Sequence, residues 1–338
     1  MSRIRELVNI LTNKDIYILS ENEVKKCLEI IFDNLFILEY NLHQGYYMIR
    51  VRPDFEYNEL VDENELSYKP KHLNHTYQRA SVPYDTMLYC CSCERREKGP
   101  SFFPYTDIEF GLYISLFETI HELRDYTFPM QYIKSHAIRR PINDIIEKKV
   151  TYSIWVVKEP LKLVRVAPYK EYDLQVNDTI YMKALTYLMM YHKADDIVPV
   201  TNFYSFLTNE FSKKPRYDNR EYLISAQASK LLCNKYKYDG IAYPSVRCDR
   251  EGINFAIVPH AVDKGMLRCV ELGSFQLFGR NDKISIENFK THLMCTKVSN
   301  SNREPTLLEP IVPHKLTLLE RSILSNSFGE KKMFEFFQ

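Results

Sequence analysis

Tyr238-Asp239-Gly240-Ile241-Ala242-Tyr243-Pro244-Ser245-Val246-Arg247, with Gly252-Ile253-Asn254-Phe255-Ala256-Ile257-Val258 just behind it, is the stretch on which the fold turns. A turn dipeptide leads into an apolar run that reads as a buried strand, and polar Ser245 and Arg247 stand at that strand's end. Ahead of it, residues 221–232 have the spacing of an amphipathic helix, so the order is helix, turn, strand. A side chain presented from the end of a rigid strand is well placed to form part of a site.

Working outward, further strands are predicted over 46–53, 86–91, 150–157, 161–166 and 270–278, from their β-branched and aromatic content. In the first of these the two-residue period sets Arg50 and Arg52 on one face. Such a pair suits an anion, and it equally suits a charged sheet edge that discourages pairing. Residues 108–123 predict a helix that is apolar nearly all round, hence buried, yet it carries Glu118 and Glu122 one turn apart. The two carboxylates either serve a site or emerge at the helix's solvent edge.

Ser20 and Asn22 can cap a helix whose apolar set is Val24, Cys27, Leu28, Ile31, Phe32, Leu35 and Phe36, and residues 1–45 read as helical and auxiliary. Helices are also expected at 181–192 and 203–211, broken by Pro199 and Pro215, which makes 173–215 a helical insertion. Residues 54–83 read as a long polar excursion, and 281–338 alternate polar runs with prolines.

The 45 basic and 44 acidic side chains nearly cancel, so the chain lacks the basic footprint of phosphate-backbone binding and nucleic acid is not an expected partner. Its 338 residues are 45% apolar, ordinary for a folded soluble protein. No apolar run approaches membrane-spanning length and the first residues do not read as a secretion signal, so no membrane is expected and the cytoplasm is the simplest location. Cys90-Cys91-Ser92-Cys93 contains a C-x-x-C, but no second pair stands at zinc-site spacing, and buried strand cysteines are expected instead of a metal site. His121-Glu122 lacks the second histidine of a zinc-protease helix, and neither a Walker lysine loop nor a Rossmann glycine fingerprint occurs.

A strand arginine, a helix glutamate and a strand-end serine, in that order, resemble the RES-domain family, named for those three residues. The best-matched part is 221–258, with its Tyr-Asp-Gly-Ile turn into Tyr-Pro-Ser and then Gly-Ile-Asn. Tyr47 to Pro53 resembles the family's first strand with Arg50 in the arginine position, and Met87-Leu88-Tyr89 resembles its second motif, preceded by Arg79. Ile114-Ser115-Leu116-Phe117-Glu118 resembles the glutamate segment. The arginine is followed by Val51 and not by the family's frequent tyrosine, which keeps Arg52 as a rival, and the insertion 93–107 keeps Glu122 as a rival to Glu118.

The resemblance covers about 46–280 and implies an α+β fold, an ADP-ribosyltransferase-like core of mixed and antiparallel sheet with surrounding helices, flanked by the extensions 1–45 and 281–338. It implies that NAD+ is the substrate and inorganic phosphate the co-substrate, with no further cofactor and no metal. The products would be nicotinamide and ADP-ribose 1-phosphate, and the enzyme a toxin held by a cognate antitoxin protein. Arg50, Glu118 and Ser245 take the catalytic positions, and Arg79, Tyr89, Arg247 and Asn254 join Arg50 and Ser245 in holding NAD+. Protein mono-ADP-ribosylation or NAD+ hydrolysis on the same fold, or an interaction protein without catalysis, are the alternatives. Association with a second copy of the chain is left open.

Overall fold

The computed structural model describes residues 2–35, 37–53, 66–92, 107–119, 146–166, 194–245, 252–280 and 283–285. Among them, nine strands join one mixed sheet: β1 (Glu39–Leu42), β2 (Tyr47–Pro53), β3 (Leu88–Ser92), β4 (Ile146–Val157), β5 (Leu161–Arg165), β6 (Gly240–Pro244), β7 (Ile253–Ile257), β8 (Leu267–Arg280) and β9 (Lys283–Ser285). Their spatial order is β1-β5-β6-β7-β3-β2-β4-β8-β9. The β5–β6 pair is parallel and the neighbouring pairs on either side of it are antiparallel, giving the mixed α+β architecture expected from the sequence.

β6 and β7 hold the middle of one half of the sheet, in register from Gly240 against Ile257 to Pro244 against Ile253. Every residue of β6 is buried, which is why this strand reads as a continuous apolar run with no alternation. Gly240 meets the Ala256 carbonyl so closely that a Cβ there would lie 2.3 Å from that oxygen.

Helices α1 (Ser2–Asn13), α2 (Glu21–Asn34), α4 (Ala194–Phe211) and α5 (Leu223–Asn234) share one apolar cluster with Ile241, Tyr243 and Ala256 of the sheet. A second cluster, around Met48, Leu88, Trp155, Ala242 and Phe255, takes in Ala261 of the short α6 (Pro259–Asp263). The remaining helix, α3 (Asp107–Thr119), lies beside β2 and β3. Its Ile114 fills the space above Gly252, where an added Cβ would stand 2.0 Å from the Ile114 Cδ1.

Ser20 caps α2 as predicted: it accepts from the Glu23 N–H at 3.2 Å while the Glu23 carboxylate accepts from the Ser20 N–H at 2.9 Å. The hydrogen bond from the Ser20 backbone is the first of the causes that hold the Glu23 carboxyl near 2, below its ordinary 4.5. A depressed carboxyl contributes stability that is present above its unfolded value and is lost as pH falls through its folded one. Glu23→Gln is therefore expected to flatten the fall of the urea midpoint between about pH 4.5 and 2. A wild-type slope unchanged in the variant would remove the box from that acid response.

Three expectations are corrected. Residues 39–42, inside the stretch read as helical, form β1 and pair with β5 from Glu39 against Val164 to Leu42 against Leu161. α4 starts at Ala194 and runs through Pro199 instead of breaking there. The proline lies in its second turn and costs one backbone hydrogen bond, about 3 kcal/mol with the steric term. Val200, Phe203, Tyr204, Leu207 and Phe211, all buried, offset that at about 1.5–3 kcal/mol for each large apolar side chain. α5, read as amphipathic, is buried on all sides except at Lys230 and Asn234, because α2, α4 and the sheet surround it.

The helix expected at 181–192, Glu122 and Arg247 lie outside the described residues. No helix among the described residues is long and apolar enough to cross a membrane.

Candidate functional site

The site begins where β2 leaves β3. Their ladder pairs Met48 with Ser92 and Ile49 with Cys91, then stops. Two residues further in the same register, past Arg50 opposite Cys90, the Val51 N–H would stand against the Tyr89 carbonyl. Instead the Val51 N–H donates to Ser115 Oγ of α3 at 2.9 Å, and the Tyr89 carbonyl accepts from Arg50 Nη1 at 2.9 Å. Both backbone groups, deprived of each other, are satisfied by side chains.

A cleft of about 390 Å³ lies at this opening, within the size range of small-ligand sites. Arg50, Arg52, Arg79, Tyr89, Glu118 and Asn254 all line it, though they come from separate parts of the chain. So do Ser115, Tyr222 and Tyr243, which the sequence did not mark as site residues.

Arg50 is the most electrostatically exposed to consequence. Its Nε is shut off from solvent and finds no acceptor among the described residues. Burial lowers its pKa from 12.5 to about 10, which leaves it charged at neutral pH. A desolvated guanidinium whose Nε finds no acceptor among the described residues would favour an anion in the cleft.

Ser245 follows the end of β6 and is fully buried. Its N–H is anchored to the Gly252 carbonyl at 2.8 Å, and its Oγ donates to Glu118 Oε1 at 2.6 Å. The hydroxyl proton is thus directed at the carboxylate, and the serine acts by fixing Glu118. Glu118 itself is partly exposed to the cleft at the end of α3, one turn beyond Ser115.

Arg79 borders the cleft as a strut. Its Nη1 donates to the carbonyls of Phe211 and, at 3.0 Å, Lys213, and its Nη2 donates to the Tyr222 hydroxyl at 3.2 Å. The guanidinium also lies 5.0 Å from the Tyr222 ring centre and 5.9 Å from that of Tyr243. These contacts tie the polar loop before β3 to the end of α4.

Tyr89 shares a 2.6 Å hydrogen bond with Ser81 and accepts from the Ala80 N–H at 3.2 Å, while burial pushes its phenol up to about 12. Asn254 of β7 accepts from the Cys91 thiol at 3.1 Å, which fixes its amide at the cleft wall. Cys90 is buried beside it and its thiol is pushed up to about 12 by desolvation, so it stays protonated and inert at neutral pH.

The arrangement can hold an anion at Arg50 and present a fixed carboxylate next to it, which is a pairing for stabilising positive charge on a phosphorylated sugar. Ser115 could have been found in the sequence as a polar residue one turn before Glu118 on an otherwise apolar helix. Tyr222 and Tyr243 carried no such signal, because buried rings are ordinary core residues. No protein-family model matches the chain, and no curated protein matches it.

Proposed function

We propose that the protein degrades NAD+ by cleaving its nicotinamide–ribose bond, with inorganic phosphate as the acceptor. The observation that carries this is the meeting of Arg50 and Glu118, from β2 and α3, on one cleft at an opened stretch of sheet, with Ser245 at the end of β6 bonded to Glu118. The mixed sheet parted between β2 and β3 is compatible with an ADP-ribosyltransferase-like core.

In this reaction the C1′–N bond breaks with its electron pair passing to the pyridinium ring, so nicotinamide leaves neutral. A phosphate oxygen then bonds to C1′, giving ADP-ribose 1-phosphate. As the bond stretches, the ribose becomes oxocarbenium-like, and Glu118 stabilises the growing positive charge from a position that Ser245 fixes. Arg50 holds the pyrophosphate or the incoming phosphate with a planar donor fork. Tyr89 and Asn254 shape the wall against which the nicotinamide end lies.

Purified protein incubated with NAD+ should release nicotinamide, measured by chromatography, faster with phosphate than without. Release independent of phosphate would make water the acceptor, and label found on protein would make this a transferase. Absence of release under both conditions would sink the proposal.

A further inference from the structure

We propose that Ser115 is a positioning residue: by taking the Val51 N–H it keeps β2 from closing on β3 and reserves the Tyr89 carbonyl for Arg50. The inference rests on the NAD+-cleaving role proposed above. Its physical basis is a competition in which one carbonyl faces two donors that are neighbours in the chain. In an unbroken ladder the Val51 N–H would take Tyr89 O. As the chain folds, Arg50 Nη1 takes it at 2.9 Å and the amide is served by Ser115 Oγ at 2.9 Å.

Val51 and Ser115 are each 3% exposed although both border the cleft, so water is a poor stand-in for the hydroxyl. Without it the amide loses its acceptor, and the Tyr89 carbonyl, opposite it in the continued register, is the nearest remedy. Closing the ladder there displaces the guanidinium, whose Nε already lacks an acceptor among the described residues. The cleft would then lose its anion seat while Glu118, held by Ser245, keeps its place. Ser115 also stands one turn before Glu118 on α3, so a single turn of helix holds the carboxylate and the strand that bears the arginine.

The test compares wild type with Ser115→Ala and Ser115→Thr. Two readouts are used: steady-state nicotinamide release with varied phosphate, and calorimetric binding of ADP-ribose to the full chain. Ser115→Ala should raise the phosphate KM and the ADP-ribose Kd by about tenfold or more, with a smaller change in kcat, because it weakens the anion seat more than the carboxylate. Ser115→Thr, which keeps the acceptor oxygen, should lie within about threefold of wild type. Should the alanine chain not fold, Ser115→Cys takes its place, since sulfur is a weak acceptor of nearly the same size.

Wild-type values in the alanine or cysteine variant, or a threonine variant no better than alanine, would overturn the inference while leaving the NAD+ reaction untouched. Binding of ADP-ribose without any nicotinamide release would overturn the reaction alone, and the Kd ratio would then decide the role of Ser115. A wild-type chain that neither releases nicotinamide nor binds ADP-ribose would overturn both.

Discussion

Glu118→Gln is expected to lower nicotinamide release by about a thousandfold at saturating NAD+ and phosphate, equivalent to some 4 kcal/mol of transition-state stabilisation. The substitution keeps size and shape and keeps an oxygen that can accept from Ser245 Oγ, now at 2.6 Å from the carboxylate, so the helix end and the serine should stay where they are. What it removes is the negative charge that, in the proposed reaction, would face the developing cation. Loss in kcat with little change in the Kd for NAD+ is therefore the diagnostic pattern. Ser245→Ala should be milder, about ten- to a hundredfold, because it frees the carboxylate to turn without discharging it. Glu122→Gln should leave turnover close to wild type. A Glu118→Gln enzyme keeping more than a tenth of wild-type kcat, with Glu122→Gln inactive, would move the chemistry to the next helical turn.

Gly240→Ala is expected to destabilise the fold by about 3–5 kcal/mol, a size otherwise reserved for losing a large core side chain. The added Cβ would lie 2.3 Å from the Ala256 oxygen, 3.1 Å from its carbon and 3.1 Å from Ile257 Cα, all of them backbone atoms. No rotamer change relieves such a contact; β6 and β7 must move apart, and their ladder runs the length of both strands. Gly252→Ala makes an even shorter contact, but with atoms of the Ile114 side chain and not with backbone. Urea unfolding of the two variants should rank Gly240→Ala well below Gly252→Ala. Equal midpoints would mean that β6 and β7 do not approach as closely as this.

Local pattern was enough for much of the fold and not for its assembly. β3, β6 and β7 were legible as short apolar runs, β2 as a β-rich run ended by Pro53, and α2 because Ser20 stands as a cap before a regular apolar stripe. β1 was missed because four residues, Glu39–Leu42, with one buried side chain among them carry almost no periodic signal. The continuity of α4 through Pro199 was missed because local propensity opposed it and only burial against α1 and α5 decides it.

At the site, residue types suggested Arg50, Glu118 and Ser245, and the structure places the first two on one cleft with the serine bonded to the second. Arg79 was expected to hold NAD+. It lines the cleft, and its Nη1 and Nη2 also bond to Phe211, Lys213 and Tyr222, partners more than a hundred positions away that no local pattern could reveal. The break in the β2–β3 ladder was illegible for the same reason, since Ser115 competes for Val51 only once α3 has docked.

The strand order also sets when this cleft can exist. Arg50 leaves the ribosome roughly two hundred residues before Ser245, an interval of about 10–40 s at ordinary synthesis rates. For most of that interval β3, and for its last part β5, wait for β6 and β7, the strands that lie between them in the finished sheet. Such long-range pairing is slow to nucleate, in milliseconds to seconds even for a complete chain. A nascent chain that ends between α3 and β7 therefore carries the arginine and the carboxylate but lacks the wall that brings them together, and the proposed site is complete only once β7 has been made.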